Sequence, residues 1–238
     1  MILRRLENSR FSEVLPAWHG ATAVLIGGGP SLTQDQVEIV RVAHVAGQVR
    51  TIAINDAYLL APWADVSHAA DAHWHRWHTD GIAIPALGLS AMRVCQKWAA
   101  FAGQKCTIQS SSGNVTDEAV HMLRNKTHPE HGVGLSLDPQ ALVTGRNSLF
   151  QSLNMAVLAG AKRVILLGCD GQPAEDGRSH WFGSHQRPTP NAAYPLYRQA
   201  MSAARESIQA AGVLVINASP ESAIDSFPKM NLQDALDA

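Results

Sequence analysis

The sequence predicts an α/β protein with a mostly parallel sheet flanked by helices, and three stretches carry that expectation. Val24-Leu25-Ile26 is an apolar run that stops at Gly27-Gly28-Gly29-Pro30-Ser31, as a buried parallel strand followed by a tight turn does. Val49-Arg50-Thr51-Ile52-Ala53-Ile54 reads as a second buried strand, ending at Asn55-Asp56. An amphipathic helix through Leu149, Leu153, Met155 and Leu158, stopped by Gly160, leads into Val164-Ile165-Leu166-Leu167. A helix crossing over to a fully apolar strand belongs to a parallel sheet. These units define a single Rossmann-like domain over residues 1–238 with a lid loop at about 171–193.

At 238 residues, 46% of them hydrophobic and 16% charged, the chain is long enough and apolar enough for one substantial core. No stretch is suited to span a bilayer, and Met1 to Glu7 turns polar before a signal-peptide apolar segment forms. Cys95, Cys106 and Cys169 are odd in number and lack CxxC spacing, so a cytoplasmic location is expected. A net charge of −1 without a basic run argues against nucleic acid as a partner, while Arg178 with Arg187 can form a local patch for a small anion. A homo-oligomer is compatible with this composition, and there are no internal repeats or low-complexity linkers.

In chain order, residues 1–20 read as a partly helical lead-in, with Phe11, Leu15 and Trp18 covering the sheet edge. After the first strand, Gly27, Gly28 and Gly29 let backbone N–H groups approach a ligand, Pro30 suits a first helical turn, and Ser31 adds a small polar group. A helix start so bare of side chains is an anion site, although the same glycines serve a helix packing on a sheet. Leu32, Val37 and Val40 carry the helix on to about His44. Asn55, at the end of the second strand, is a candidate to read a base or ribose, with a helix cap as its alternative.

The stretch from Ala64 to His78 holds His68, His73, His75 and His78 but no HExxH or paired cysteine, so no metal site is predicted. It reads as a short strand ending near Asp71, a polar group at the ligand edge, then an aromatic helix whose Trp74 and Trp77 line a cleft or pack in the core. Ile82 to Leu89 is a short apolar run, and Cys106-Thr107-Ile108 one more strand. Ser110 to Ser136 has no sustained periodicity and reads as an excursion. The small polar residues from Thr144-Gly145 to Ser148 repeat the anion-site pattern at a second helix start. Asp170, the carboxylate that ends the near-continuous apolar strand read from Arg163 to Gly171, is a candidate to hold a ribose hydroxyl, a metal or a substrate, with capping of its loop as the alternative. Gln172 to Asn191 is a long polar segment containing His180 and His185, candidates for general acid or base because imidazole titrates near neutral pH. A helix from Tyr194 to about Ala211, a strand from Val213 to Asn217 and a helical turn within Leu232 to Leu236 close the chain.

Four separated motifs together resemble the bacterial lipooligosaccharide sialyltransferase family and the wider group of phage and archaeal proteins related to 6-hydroxymethylpterin diphosphokinase. They are Gly27 to Leu32, with Gly28 where that family usually has asparagine; Asn55; Thr144-Gly145 followed by Gly168-Cys169-Asp170; and Ser179-His180-Trp181-Phe182-Gly183, with His185 displaced by one inserted residue. The resemblance implies that Gly27 to Ser31, Asn55 and the Thr144 turn hold a nucleotide-sugar donor of the CMP type. It makes His180 the base that deprotonates an unidentified acceptor hydroxyl, in a glycosyltransferase reaction needing no metal or resident cofactor. The lid has little tyrosine for the departing phosphate, a role that Trp181, Arg178 or Arg187 can take instead. The diphosphokinase relatives imply an alternative, magnesium-dependent pyrophosphoryl transfer from ATP with Asp71 or Asp170 as metal ligands. A phage-encoded nucleotide-binding accessory protein without catalysis is the third reading.

Overall fold

The computed structural model describes residues 1–109, 113, 115–126, 134–183 and 189–238. The N-terminal segment corrects the first expectation. It is an antiparallel hairpin of β1 (Leu3–Arg5) and β2 (Ser12–Val14), with Leu3 opposite Val14. The polar Glu7-Asn8-Ser9 segment turns the chain, with Asn8 at φ 51°, and Pro16 interrupts the helical spacing of Phe11, Leu15 and Trp18. Trp18 is nonetheless buried against the sheet.

The remaining strands are β3 (Thr22–Ile26), β4 (Val49–Ile54), β5 (Val66–His68), β6 (Gln104–Ile108), β7 (Val120–Lys126), β8 (Ala141–Val143), β9 (Arg163–Leu167) and β10 (Leu214–Asn217). They form one sheet in the order β10-β9-β3-β4-β5-β6-β7-β8, and every neighbouring pair is parallel. The helices are α1 (Gln34–Val45), α2 (Ala72–Asp80), α3 (Ala91–Ala99), α4 (Ser148–Leu158), α5 (Ala193–Ala203), α6 (Arg205–Ala210) and α7 (Leu232–Asp237). Ala23 and Leu25 face the side covered by α4, α5, α6 and the hairpin, while Val24 and Ile26 face α1, α2, α3 and α7. Burial on both faces is why the central strands are apolar throughout rather than alternating. This is the expected α/β architecture, a mostly parallel sheet between helical layers in a Rossmann-like arrangement.

From β3 the chain steps outward to β8, and α4 then carries it back over β3 and β4 so that β9 enters on the other side of β3. The sheet therefore reverses direction between β3 and β9, the point beside which open α/β sheets place ligands. Two boundaries differ from expectation. The first helix starts at Gln34, not at Pro30, because Thr33 and Gln36 form a reciprocal capping box, leaving Pro30-Ser31 in a turn closed by Leu32 N–H to Gly29 O (3.2 Å). The segment 110–136, read as an excursion, contributes β7, an interior strand between β6 and β8. Among the described residues no helix is long and apolar enough to cross a membrane.

Candidate functional site

The loops after β9, β3 and β4 emerge side by side, since Ile26 is in register with both Leu167 and Ala53. Between β3 and β9 the closest approach is of protein to protein. Gly27 N–H donates to Leu167 O (2.7 Å) and Gly29 N–H to Gly168 O (2.9 Å). A Cβ on Gly27 would overlap Gly168 O, and one on Gly29 would overlap the Asp170 carboxylate and stand 2.7 Å from Gly168 O. Asp170 Oδ2 accepts from Ser31 N–H (3.3 Å) and is buried, which pushes its carboxyl pKa upward. The packing and loop-capping alternatives thus describe Gly27, Gly29, Ser31 and Asp170. Gly28 is different, because among the described residues a Cβ there would meet only His180 Cδ2, at 3.7 Å. Trp181 N–H donates to Gly28 O (3.2 Å), so the segment carrying His180 is tied to the glycine turn.

Beside this crevice a cleft of about 740 Å3 opens at the carboxyl ends of β4, β5, β7 and β8. Asn55 lines it at φ 51°, a left-handed conformation that asparagine tolerates better than most residues. Its side chain does not cap the short helical turn it opens; Oδ1 instead accepts from Ser148 Oγ (3.3 Å). Ser148 Oγ in turn accepts from Ala70 N–H (3.4 Å), so one hydroxyl joins the ends of β4 and β5 to the start of α4. Asp71 lines the cleft as the cap of α2, its Oδ1 accepting from His73 N–H (2.8 Å).

Thr144 lines the cleft at the turn after β8. Gly145 (φ 50°) and Arg146 (φ 62°) follow in left-handed conformations, and a Cβ on Gly145 would overlap the Phe150 ring packed against it. Asn147 then caps α4 by accepting from Phe150 N–H (2.8 Å). Gln151 holds the turn from one helical turn further on: its Nε2 donates to Thr144 O (2.8 Å) and its Oε1 meets His68 Nε2 (2.9 Å). His68 is fully buried, which lowers its pKa to about 4, so the neutral ring donates to Gln151.

His180 reaches the cleft from the segment after β9, with Nδ1 2.9 Å from Ser179 Oγ and its ring against Phe182. Arg178 and Trp181 do not line the cleft: Arg178 pairs with Asp176 (2.6 Å) and Trp181 packs on the core. His185 and Arg187 lie outside the described residues. Tyr197, from α5, and Thr189 line the same side instead. Ser148 and Arg146 sit within a stretch already marked as polar at a helix start, and Tyr197 lies one turn into an expected helix. Asn125, also in the lining, had no signal because β7 itself was not legible.

The histidine-rich stretch is tied up internally. His75 Nε2 bonds Ala69 O (2.9 Å), and His78 stands between Trp74 O (2.8 Å) and Asp56 Oδ1 (3.2 Å). Among the described residues no group of three or more His, Cys, Asp or Glu is arranged to hold a metal. Trp74 and Trp77 form an aromatic wall of the cleft, and Trp74 also stacks on His78 in the core.

Asn55, Asn125, Asn147, Thr144, Ser148, Tyr197 and an Arg146 with no ion-pair partner among the described residues line the same cleft. A cleft of this size, with one aromatic side and convergent polar groups, suits a flat ring bearing polar and anionic substituents. Fold and cleft define a Rossmann-like α/β protein with a candidate ligand site beyond its strand ends. No protein-family model matches the chain, and no curated protein does either.

Proposed function

We propose that this protein is a glycosyltransferase-like enzyme that moves a sugar from a nucleotide-sugar donor of the CMP type to an acceptor hydroxyl without a metal. The supporting observation is that Asn55, the Thr144–Ser148 turn and His180, far apart in sequence, line one cleft. These are positions to which the sialyltransferase resemblance assigns donor and base. The phosphate of the donor binds at the Thr144–Ser148 turn beside Arg146, and Asn55 binds the nucleoside. His180 Nδ1 lies 2.9 Å from Ser179 Oγ; in the tautomer that this reading requires, Nδ1–H donates to that hydroxyl and Nε2 takes the proton of the acceptor hydroxyl. That oxygen attacks the anomeric carbon, the bond from that carbon to the phosphate oxygen breaks, and the nucleotide leaves with the electron pair. Arg146 and the Tyr197 hydroxyl disperse the charge that develops on it.

Calorimetry with CMP, CDP, UDP and ATP, each with and without magnesium, tests the reading. CMP should bind without magnesium. Magnesium-dependent binding of ATP alone would favour pyrophosphoryl transfer, and no binding by any of the four would remove both enzyme readings.

A further inference from the structure

Among the described residues, two that line the candidate cleft carry a buried side-chain polar atom without a hydrogen-bond partner: Trp74, at Nε1, and Asn125, at Oδ1. Trp74 is held by the aromatic core, edge-to-face with Trp98. Asn125 has no such role. Its strand, β7, runs on past the level at which His68, Cys106 and His121 are in register, so its end stands up as one wall of the cleft.

The position itself calls for an apolar residue. Side chains alternate along a strand, so Asn125 shares its face with Leu123, and its partner on β8 is Leu142; both leucines are fully buried in the core that Phe150 and Leu153 of α4 complete. Asn154, an amide buried in the same layer, shows what a structural amide does there. Its Oδ1 accepts from Ser136 N–H (2.9 Å) and Val143 N–H (3.1 Å), and its Nδ2 donates to Ser136 O (2.9 Å). An amide carbonyl left unpaired beside leucines costs stability, so packing does not account for Asn125.

We infer that Asn125 reads the base of the bound nucleotide, its Oδ1 accepting from the exocyclic amine of a cytosine ring. The inference rests on the proposed function and adds to it the residue that selects the base. An unpaired acceptor needs a donor, and an ionised phosphate has none to give; on CMP the donors are the ribose hydroxyls and the 4-amino group. β7 lies three strands along the sheet from β4, so Asn125 meets the end of the nucleoside away from the part that Asn55 holds. With Oδ1 unbonded, the carboxamide turns about its soft terminal torsion and presents that oxygen to the ring.

Calorimetry compares CMP with the 5′-monophosphate of pyrimidin-2-one riboside, which is CMP without the 4-amino group, on the unaltered full chain and on Asn125→Leu. The unaltered chain should bind CMP about three- to tenfold more tightly than the analogue, the range of one neutral hydrogen bond, and the variant should bind the two alike. Leucine has nearly the shape of asparagine and suits its apolar neighbours, so the melting temperature of the variant should hold or rise, whereas loss of a structural amide would lower it. The inference is overturned if the unaltered chain does not distinguish the two nucleotides, if the variant keeps the preference, or if the variant melts clearly lower. Failure of CMP to bind the unaltered chain at all would overturn the proposed function and this inference with it; CMP binding without the preference overturns the inference alone.

Discussion

Three consecutive glycines have three different neighbourhoods. Gly27 and Gly29 are pressed on the β9 turn, while Gly28 faces the open side toward His180. Gly29→Ala should therefore destabilise the protein by about 1–3 kcal/mol, because backbone and a buried carboxylate must shift to admit the methyl group. Gly28→Ala should be nearly neutral. Thermal denaturation separates them: a fall of roughly 3–10 °C is expected for Gly29→Ala and little change for Gly28→Ala. Equal effects would mean that close approach does not explain the run. Under the proposed function His180 acts as the base, so His180→Ala should abolish transfer and leave nucleotide affinity nearly unchanged. An active variant would remove it from the role of base.

Helix α4 organises the cleft. It crosses back over β3 and β4, and its first two turns hold Asn55 through Ser148, Thr144 through Gln151, and their own start through Asn147. Ser148→Ala leaves the helix cap intact but frees the Asn55 amide to rotate. CMP affinity should fall by about three- to tenfold, as expected for one neutral hydrogen bond, with little change in melting temperature. An unchanged affinity would show that Asn55 does not need this anchor. The segment after β9 contributes its own element-scale constraint, because Trp181 N–H bonds Gly28 O beside His180, which lines the cleft.

At the scale of the whole molecule, the buried histidines couple stability to pH. Burial lowers His68 and His75 to about 4, against 6.5 for an exposed ring. Between pH 6.5 and 4 the unfolded chain binds more protons than the native one, so stability present above 6.5 is lost as the pH falls through that window. The two shifts amount to about 3 kcal/mol each at most, a large share of the stability of an ordinary domain. Burial also lowers His121, which adds to the trend, and raises Asp170, which opposes it. The urea midpoint should drop clearly from pH 7.5 to pH 5, with unfolding taking up about two protons per molecule at the acid end of that range. A midpoint constant over that range would contradict the buried neutral rings.

The sequence by itself determined the sheet class and most of its strands, because both faces of a central parallel strand are covered and its apolar run is set locally. It also marked Asn55, Asp71, Thr144 and His180, which stand at strand ends or in the long polar segment after β9. It misread the hairpin of β1 and β2 and missed β7. Val120-His121-Met122-Leu123-Arg124-Asn125-Lys126 alternates poorly, and its pairing with β6 and β8 and its contacts with β2 are non-local. Only the tertiary structure decided that Asp170 belongs to the glycine turn, that Ser148 joins three elements, and that Asn125 and Tyr197 reach the cleft. Apolar patterning fixes which residues are buried, whereas the side chains that meet at a strand end depend on the order in which the strands assemble.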